Sequence, residues 1–96
     1  MIEVRQTDVF AKWFQKLRDQ RAKNRIVVRI RRMELGNPGD VKSVGGGVQE
    51  ARISYGPGYR LYFTREGDAL IILLCGGNKS SQAKDIARAK EIRKHL

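Results

Sequence analysis

Apolar residues fall at helical spacing through the first third of the chain and at strand spacing through most of the rest. Ile2 and Val4 alternate with Glu3 and Arg5, which predicts a short strand over 2–6. Thr7 or Asp8 is placed to cap a helix in which Phe10, Trp13, Phe14 and Leu17 recur at i, i+3, i+4, i+7. That stripe reads as core packing rather than as an aromatic platform for nucleic acid. A break near Asp19 opens a second helix, whose apolar stripe is Ala22, Ile26, Ile30 and Met33, and Gly36-Asn37-Pro38-Gly39 stops it. Two short helices joined by a tight turn are expected to pack as an antiparallel hairpin.

Strands follow. Residues 41–44 lead into Gly45-Gly46-Gly47, a turn or bulge. Over 48–54, Ala51 and Ile53 face one side and Glu50 and Arg52 the other. After the turn Tyr55-Gly56-Pro57-Gly58, residues 59–64 alternate again, with Leu61 and Phe63 inward and Arg60, Tyr62 and Thr64 outward. Residues 69–75 show no polar alternation, so they read as a central strand buried on both faces, ended by Gly76-Gly77-Asn78. Ser80 or Ser81 caps a last helix that buries Ile86, Ala89 and Ile92. The expected fold is α+β, in the order β-α-α-β-β-β-α, with a largely antiparallel sheet and one domain over 1–96.

Charge narrows the partner. Twenty basic against ten acidic residues give a net charge of +10, which points to a polyanion, either nucleic acid or an acidic protein. Residues 1–35 carry net +6, 36–70 net zero and 71–96 net +4, so both ends of the chain are basic. One cysteine, Cys75, and one histidine, His95, cannot build a protein zinc site or a disulfide. No metal or cofactor is expected. No apolar run reaches the roughly 18 residues of a membrane span, and the first residues carry no secretory signal pattern, so the expected compartment is a reducing cytoplasm.

Three groups of residues carry candidate chemistry. Gly76-Gly77-Asn78-Lys79-Ser80 follows a strand and precedes a helix, but Leu73 and Asn78 stand where a nucleotide-binding loop needs glycine. What survives is a possible anion site at Lys79, against a merely capped turn. If 48–54 and 59–64 pair, Arg52, Arg60 and Tyr62 share one exposed sheet face. Two guanidiniums and a phenol suit an RNA phosphodiester, whereas Arg52 and Glu50 alone would make a surface ion pair of little worth. On the second helix Arg21, Arg25, Arg29 and Arg32 form a basic stripe, either a solvated face or a seat for RNA backbone or an acidic segment.

These residues also resemble a known family. Gly47-x-x-Glu50-x-Arg52-Ile53, Gly56-x-Gly58-Tyr59-Arg60-x-Tyr62-Phe63 and Leu73-Leu74-x-Gly76-Gly77-x-Lys79-x-x-Gln82-x-x-Asp85-Ile86 look like the phage-derived, HigB-like killer proteins of the RelE/ParE toxins of toxin–antitoxin modules. The resemblance covers essentially the whole chain. It implies a sheet cradling RNA, with the helical hairpin behind, and cleavage of messenger RNA on the ribosome. The partner implied is a small helix-turn-helix antitoxin. The alternatives are a ParE-like poison of DNA gyrase and a non-catalytic member that binds only its antitoxin. Carried over, Arg52 and Arg60 match strand arginines that contact the scissile phosphate, with Tyr62 at the next outward position. Lys79, Arg25 and Arg29 are the candidate RNA contacts. Nuclease members often end in a catalytic Tyr or His, and here only His95 is available. Because Arg60 is expected to be exposed, replacing it should abolish toxicity with little cost to stability.

Overall fold

Side-chain caps fix where the N-terminal helices start. In the computed structural model, which describes all 96 residues, strand β1 (Glu3–Gln6) runs into Thr7, whose Oγ1 accepts from Phe10 N at 3.1 Å and opens α1 (Asp8–Lys16). The same hydroxyl donates to Leu74 O at 2.7 Å, tying the cap to the sheet. Asp19 accepts from the amides of Arg21 and Ala22 and opens α2 (Gln20–Glu34), meeting donors that no helical carbonyl can reach. After Gly36, at φ +84°, the chain leaves the helix.

The remaining strands are β2 (Val41–Gly45), β3 (Val48–Ile53), β4 (Tyr59–Glu66) and β5 (Leu70–Asn78). A three-residue 3-10 turn, Lys79–Ser81, leads into α3 (Gln82–Lys94). The sheet order is β1-β5-β4-β3-β2, with β1 parallel to β5 and every other pair antiparallel. The expected α+β fold is what the structure has, with the N-terminal strand, the two helices, the largely antiparallel sheet and the C-terminal helix. Four strands rather than three follow the helices, because Val41–Gly45 pairs with β3 as a strand of its own. Both N-terminal helices press their apolar stripes onto the sheet, α1 chiefly on β5 and α2 beside β1. Phe10, Ala22, Ile26 and Met33 meet Leu61, Phe63, Ile71 and Leu73 in one core. No helix is long and apolar enough to cross a membrane.

A second, smaller core lies on the opposite face, where α3 brings Ala89, Ile86 and Ile92 against Val48, Tyr62, Leu74 and Cys75. This corrects one expectation. The alternation of β3 and β4 is as read, but their outward face is covered by α3: Glu50, Tyr62 and Thr64 are buried, and Arg60 is 9% exposed. Polar side chains on this face bond to each other and to α3, so the polar pattern did not mean solvent.

β5 accounts for two further differences. Tyr62 pairs with Cys75 but Phe63 with Leu73, leaving Leu74 as an extra residue. The bulge turns both Leu74 and Cys75 toward α3, which a strictly alternating strand could not do. The strand then runs on through Gly76 and Gly77, which sequence reading placed in a turn. A β-carbon at Gly76 would strike the Trp13 ring, and one at Gly77 the Asp85 carboxylate. These glycines serve close packing rather than turning.

Candidate functional site

Two strands and the first turn of α3 deliver their polar side chains to one buried carboxylate. In the β3–β4 register Arg52 lies opposite Arg60 and Glu50 opposite Tyr62. Two like charges opposite one another are unfavourable alone, and Glu50, fully buried, offsets them. Its Oε1 accepts from Arg52 Nε at 2.9 Å, and its Oε2 from Tyr62 Oη at 3.1 Å and Gln82 Nε2 at 2.8 Å. Arg60 Nε stands 3.8 Å from the same Oε2 and has no hydrogen-bond partner, while Arg60 Nη1 donates to Gly58 O at 2.7 Å. Burial works to raise the Glu50 carboxyl, but the hydrogen bonds from Arg52, Gln82 and Tyr62 outweigh it and hold it below the usual carboxylate range. Tyr62 goes far the other way: burial, the charge of Glu50 and the bond to it push the phenol well above its ordinary value.

The candidate triad thus splits by accessibility. Arg52, Arg60 and Tyr62 do share one face, yet only Arg52 is substantially open, its side chain 36% exposed against 10% for Arg60. Tyr62 is a hydrogen-bond donor to Glu50 and no proton shuttle. Cys75 is buried, and burial followed by the charge of Asp85 pushes its thiol up to about 12, so it is no nucleophile either.

Arg52 also lines a groove of about 530 Å³ between α2 and the end of β3. Arg21, Arg25, Arg29 and Arg32 line it from the helix, and Asp40 is its one carboxylate. Arg29 is half-buried; its Nη2 donates to Arg52 O at 2.6 Å, and its Nη1 reaches Asp40 O at 3.5 Å. Arg25 stacks over Tyr55, 4.6 Å from the ring centroid, and Tyr55 Oη donates to Asp19 at 2.9 Å. The basic stripe is therefore not a uniform solvated face: Arg29 pins α2 to β3, and Arg21, Arg25 and Arg32 stay exposed around the groove.

Lys79 and His95 fall apart from the groove. Exposed Lys79 begins the 3-10 turn, and its amide donates to Pro57 O at 3.3 Å, beside the glycine turn that holds Arg60. The amide donors of that turn are met by Asn78, whose side chain accepts from Ser80 N at 2.9 Å. This leaves a capped turn in place of a phosphate loop, and the cap is Asn78 rather than either serine; Ser81 instead bonds Asp85. His95 ends α3, exposed and bonded to Glu91 O at 2.9 Å. Gln82, at the other end of that helix, touches Glu50, so thirteen residues at 1.5 Å each hold His95 about 20 Å from the cluster. Sequence reading placed Glu50 on the same face as Arg52 and weighed only a surface ion pair between them, and it gave Gln82 no role. The spacing Glu50-x-Arg52 was the available signal.

Residues 12–95 match the family described as "Phage derived protein Gp49-like (DUF891)". A protein of Haemophilus influenzae (strain ATCC 51907 / DSM 11121 / KW20 / Rd), described only as uncharacterized, is 47% identical over 95 residues, covering 99% of this chain and 96% of its own length. Both the hub and the arginine groove lie within the matched span, and the chain belongs to the Gp49-like family of phage-derived proteins.

Proposed function

We propose that this protein is the toxin of a toxin–antitoxin module and that it cleaves messenger RNA on the ribosome. The family's place among toxins of such modules supports the first half. The observation that carries the second is Arg52, locked by a buried carboxylate at the mouth of a groove lined by four more arginines. RNA phosphates lie along Arg25 and its exposed neighbours, with Lys79 a further contact beside the β4 turn. At the scissile linkage the 2′-oxygen attacks phosphorus and the 5′-oxygen leaves, giving a cyclic phosphate and a free 5′-hydroxyl. Arg52 stabilises the charge that gathers on the non-bridging oxygens, and Glu50 fixes its orientation in advance. Arg60 and Tyr62 act through Glu50 and are positioning residues. Arg29 positions the groove wall.

The test is controlled induction with separate pulse-labelling of new protein and new DNA. Translation stopping first, with messenger RNA cut at defined sites, is the expected result. An early block in DNA synthesis would replace this reading with the gyrase one, and no growth arrest at all would leave only a binder of its antitoxin.

A further inference from the structure

Two cations in this protein stand over aromatic rings, and they are held differently. Lys23 Nζ lies 5.3 Å from the Phe14 centroid and donates to Gln15 O at 3.3 Å, a point charge with a bond already made. Arg25 lies 4.6 Å over Tyr55, donates to nothing in the chain, and lines the groove. A guanidinium is planar, so a ring on one side fixes its plane and leaves its outer face and its N–H edges free. Tyr55 is itself well held. Its ring packs against the main core, its amide donates to Ile53 O at 2.9 Å, and its hydroxyl donates to Asp19, the cap of α2. The helix does not need the stack to stay seated, because Asp19 already ties its start to Tyr55 and Arg29 ties its middle to Arg52 O.

We propose that Arg25, stacked on Tyr55, is a platform for one unpaired base of the RNA and favours purines over pyrimidines. This rests on the RNA-cleaving reading above and adds a base contact to its phosphate contacts. Phosphates and carboxylates meet an arginine at its N–H edges and leave its face unused. A flat partner covers the face, and unpaired nucleobases stack on guanidinium planes in that way. The groove, of about 530 Å³, falls within the roughly 300–1,000 Å³ of sites that enclose a small ligand, so it has room for a splayed base. A purine covers more of the guanidinium than a pyrimidine does, so the platform separates the two by stacking, while the edges of Arg25 serve the adjoining phosphate. Arg21 and Arg32 line the same groove with no ring behind them and offer charge without a fixed plane.

The test follows binding of short single-stranded RNA to the intact protein by fluorescence anisotropy across a salt series. One RNA is all uridine; in the other every third base is adenine, which keeps the adenines from stacking on each other. The wild type should bind the adenine-bearing strand at least about fivefold more tightly. Arg25→Lys keeps the charge and loses the plane. It should bind the uridine strand with an unchanged salt slope, and its preference should fall to near unity. Tyr55→Leu keeps an apolar side chain but leaves the arginine free to swing, and its preference should fall likewise; Tyr55→Phe, which keeps the ring, should retain most of it. Arg25 is exposed, so Arg25→Lys should melt as the wild type does, and it decides the matter should Tyr55→Leu not fold. Equal affinity of the wild type for the two strands, or a preference that survives Arg25→Lys, overturns the platform and leaves the phosphate contacts of the groove standing. No binding of either strand overturns the platform together with the RNA reading of the groove. A protein that prefers the adenine-bearing strand yet cuts no messenger on ribosomes sinks the cleavage reading alone.

Discussion

Glu50 accepts three hydrogen bonds and faces a fourth donor at 3.8 Å, which makes it the most consequential charge in the protein. Its folded value lies below that of an unfolded glutamate. The stability it supplies is therefore complete above the unfolded value of about 4.3 and disappears as pH falls through the lower folded one. Glu50→Gln should lose about 3 kcal/mol at neutral pH, because it leaves facing guanidiniums without their counter-charge. Its stability should also change less than the wild type's as pH falls below the unfolded value of about 4.3; denaturant unfolding across a pH series measures both. Arg60 is buried, so Arg60→Ala should cost about 2 kcal/mol, less than a well-made buried pair because its Nε is already unpartnered. This reverses the expectation of a fold-neutral variant. Arg52 is a third exposed, but it is the donor to the buried Glu50 Oε1, so Arg52→Ala should also lower the melting temperature while abolishing growth arrest at matched accumulation. Thermal melts beside growth curves decide it, and an Arg52→Ala protein that still arrests growth removes Arg52 from the chemistry.

At the scale of elements, periodicity was readable and coverage was not. The stripes of α1 and α2, the break at Asp19, and the pairing of β3 with β4 all follow from spacing and turn residues. So does the face shared by Glu50, Arg52, Arg60 and Tyr62. What covers that face depends on partners remote in the chain: Gln82 on Glu50, and Arg93 Nε on Thr64 Oγ1 at 2.9 Å. A polar row that bonds to a distant helix has the same pattern as one that bonds to water. The glycines of β5 misled for a related reason. Gly76 and Gly77 read as a turn because glycine so often breaks a strand, whereas here they make room for Trp13 and Asp85. Gly76→Ala should therefore cost about 1–3 kcal/mol by overpacking, or roughly 5–20 °C of melting temperature in a domain of this size. Gly67, with nothing within 4 Å of where a β-carbon would stand but with φ +64°, is the matched control for backbone strain without a clash. An unshifted melt for Gly76→Ala would mean that Trp13 does not pack against β5.

Across the whole molecule, the proton-transfer candidates of the sheet face are committed or distant, and Asp40 is the one carboxylate that lines the groove. Glu50 is occupied by three donors, Tyr62 is committed to Glu50 and hard to ionise, and α3 holds His95 about 20 Å away. What the fold does place at the groove is positive charge, on a chain of net charge +10. On the proposed reading, this arrangement stabilises a developing phosphorane charge, while the sheet face supplies neither a base for the 2′-hydroxyl nor an acid for the 5′-oxygen, contributions worth about 10²–10⁴-fold each elsewhere. The shortfall has to be met by holding the substrate in line for attack, which is large enough to compensate: well-oriented reactants gain about 7–11 kcal/mol. Messenger RNA constrained in a ribosome is held that way and free RNA is not. The purified protein should therefore bind free RNA with a strong salt dependence yet cut it slowly, and cut the same messenger on ribosomes at least about a hundredfold faster, a factor equivalent to roughly 2.7 kcal/mol of barrier. Primer extension on one transcript, with and without ribosomes, measures the ratio. Raising pH should accelerate the slow free-RNA reaction, since the missing base is then supplied by hydroxide. Equal cutting in the two samples would mean that a proton-transfer group operates in this chain after all, and would send the search back to Asp40, the one carboxylate in the groove.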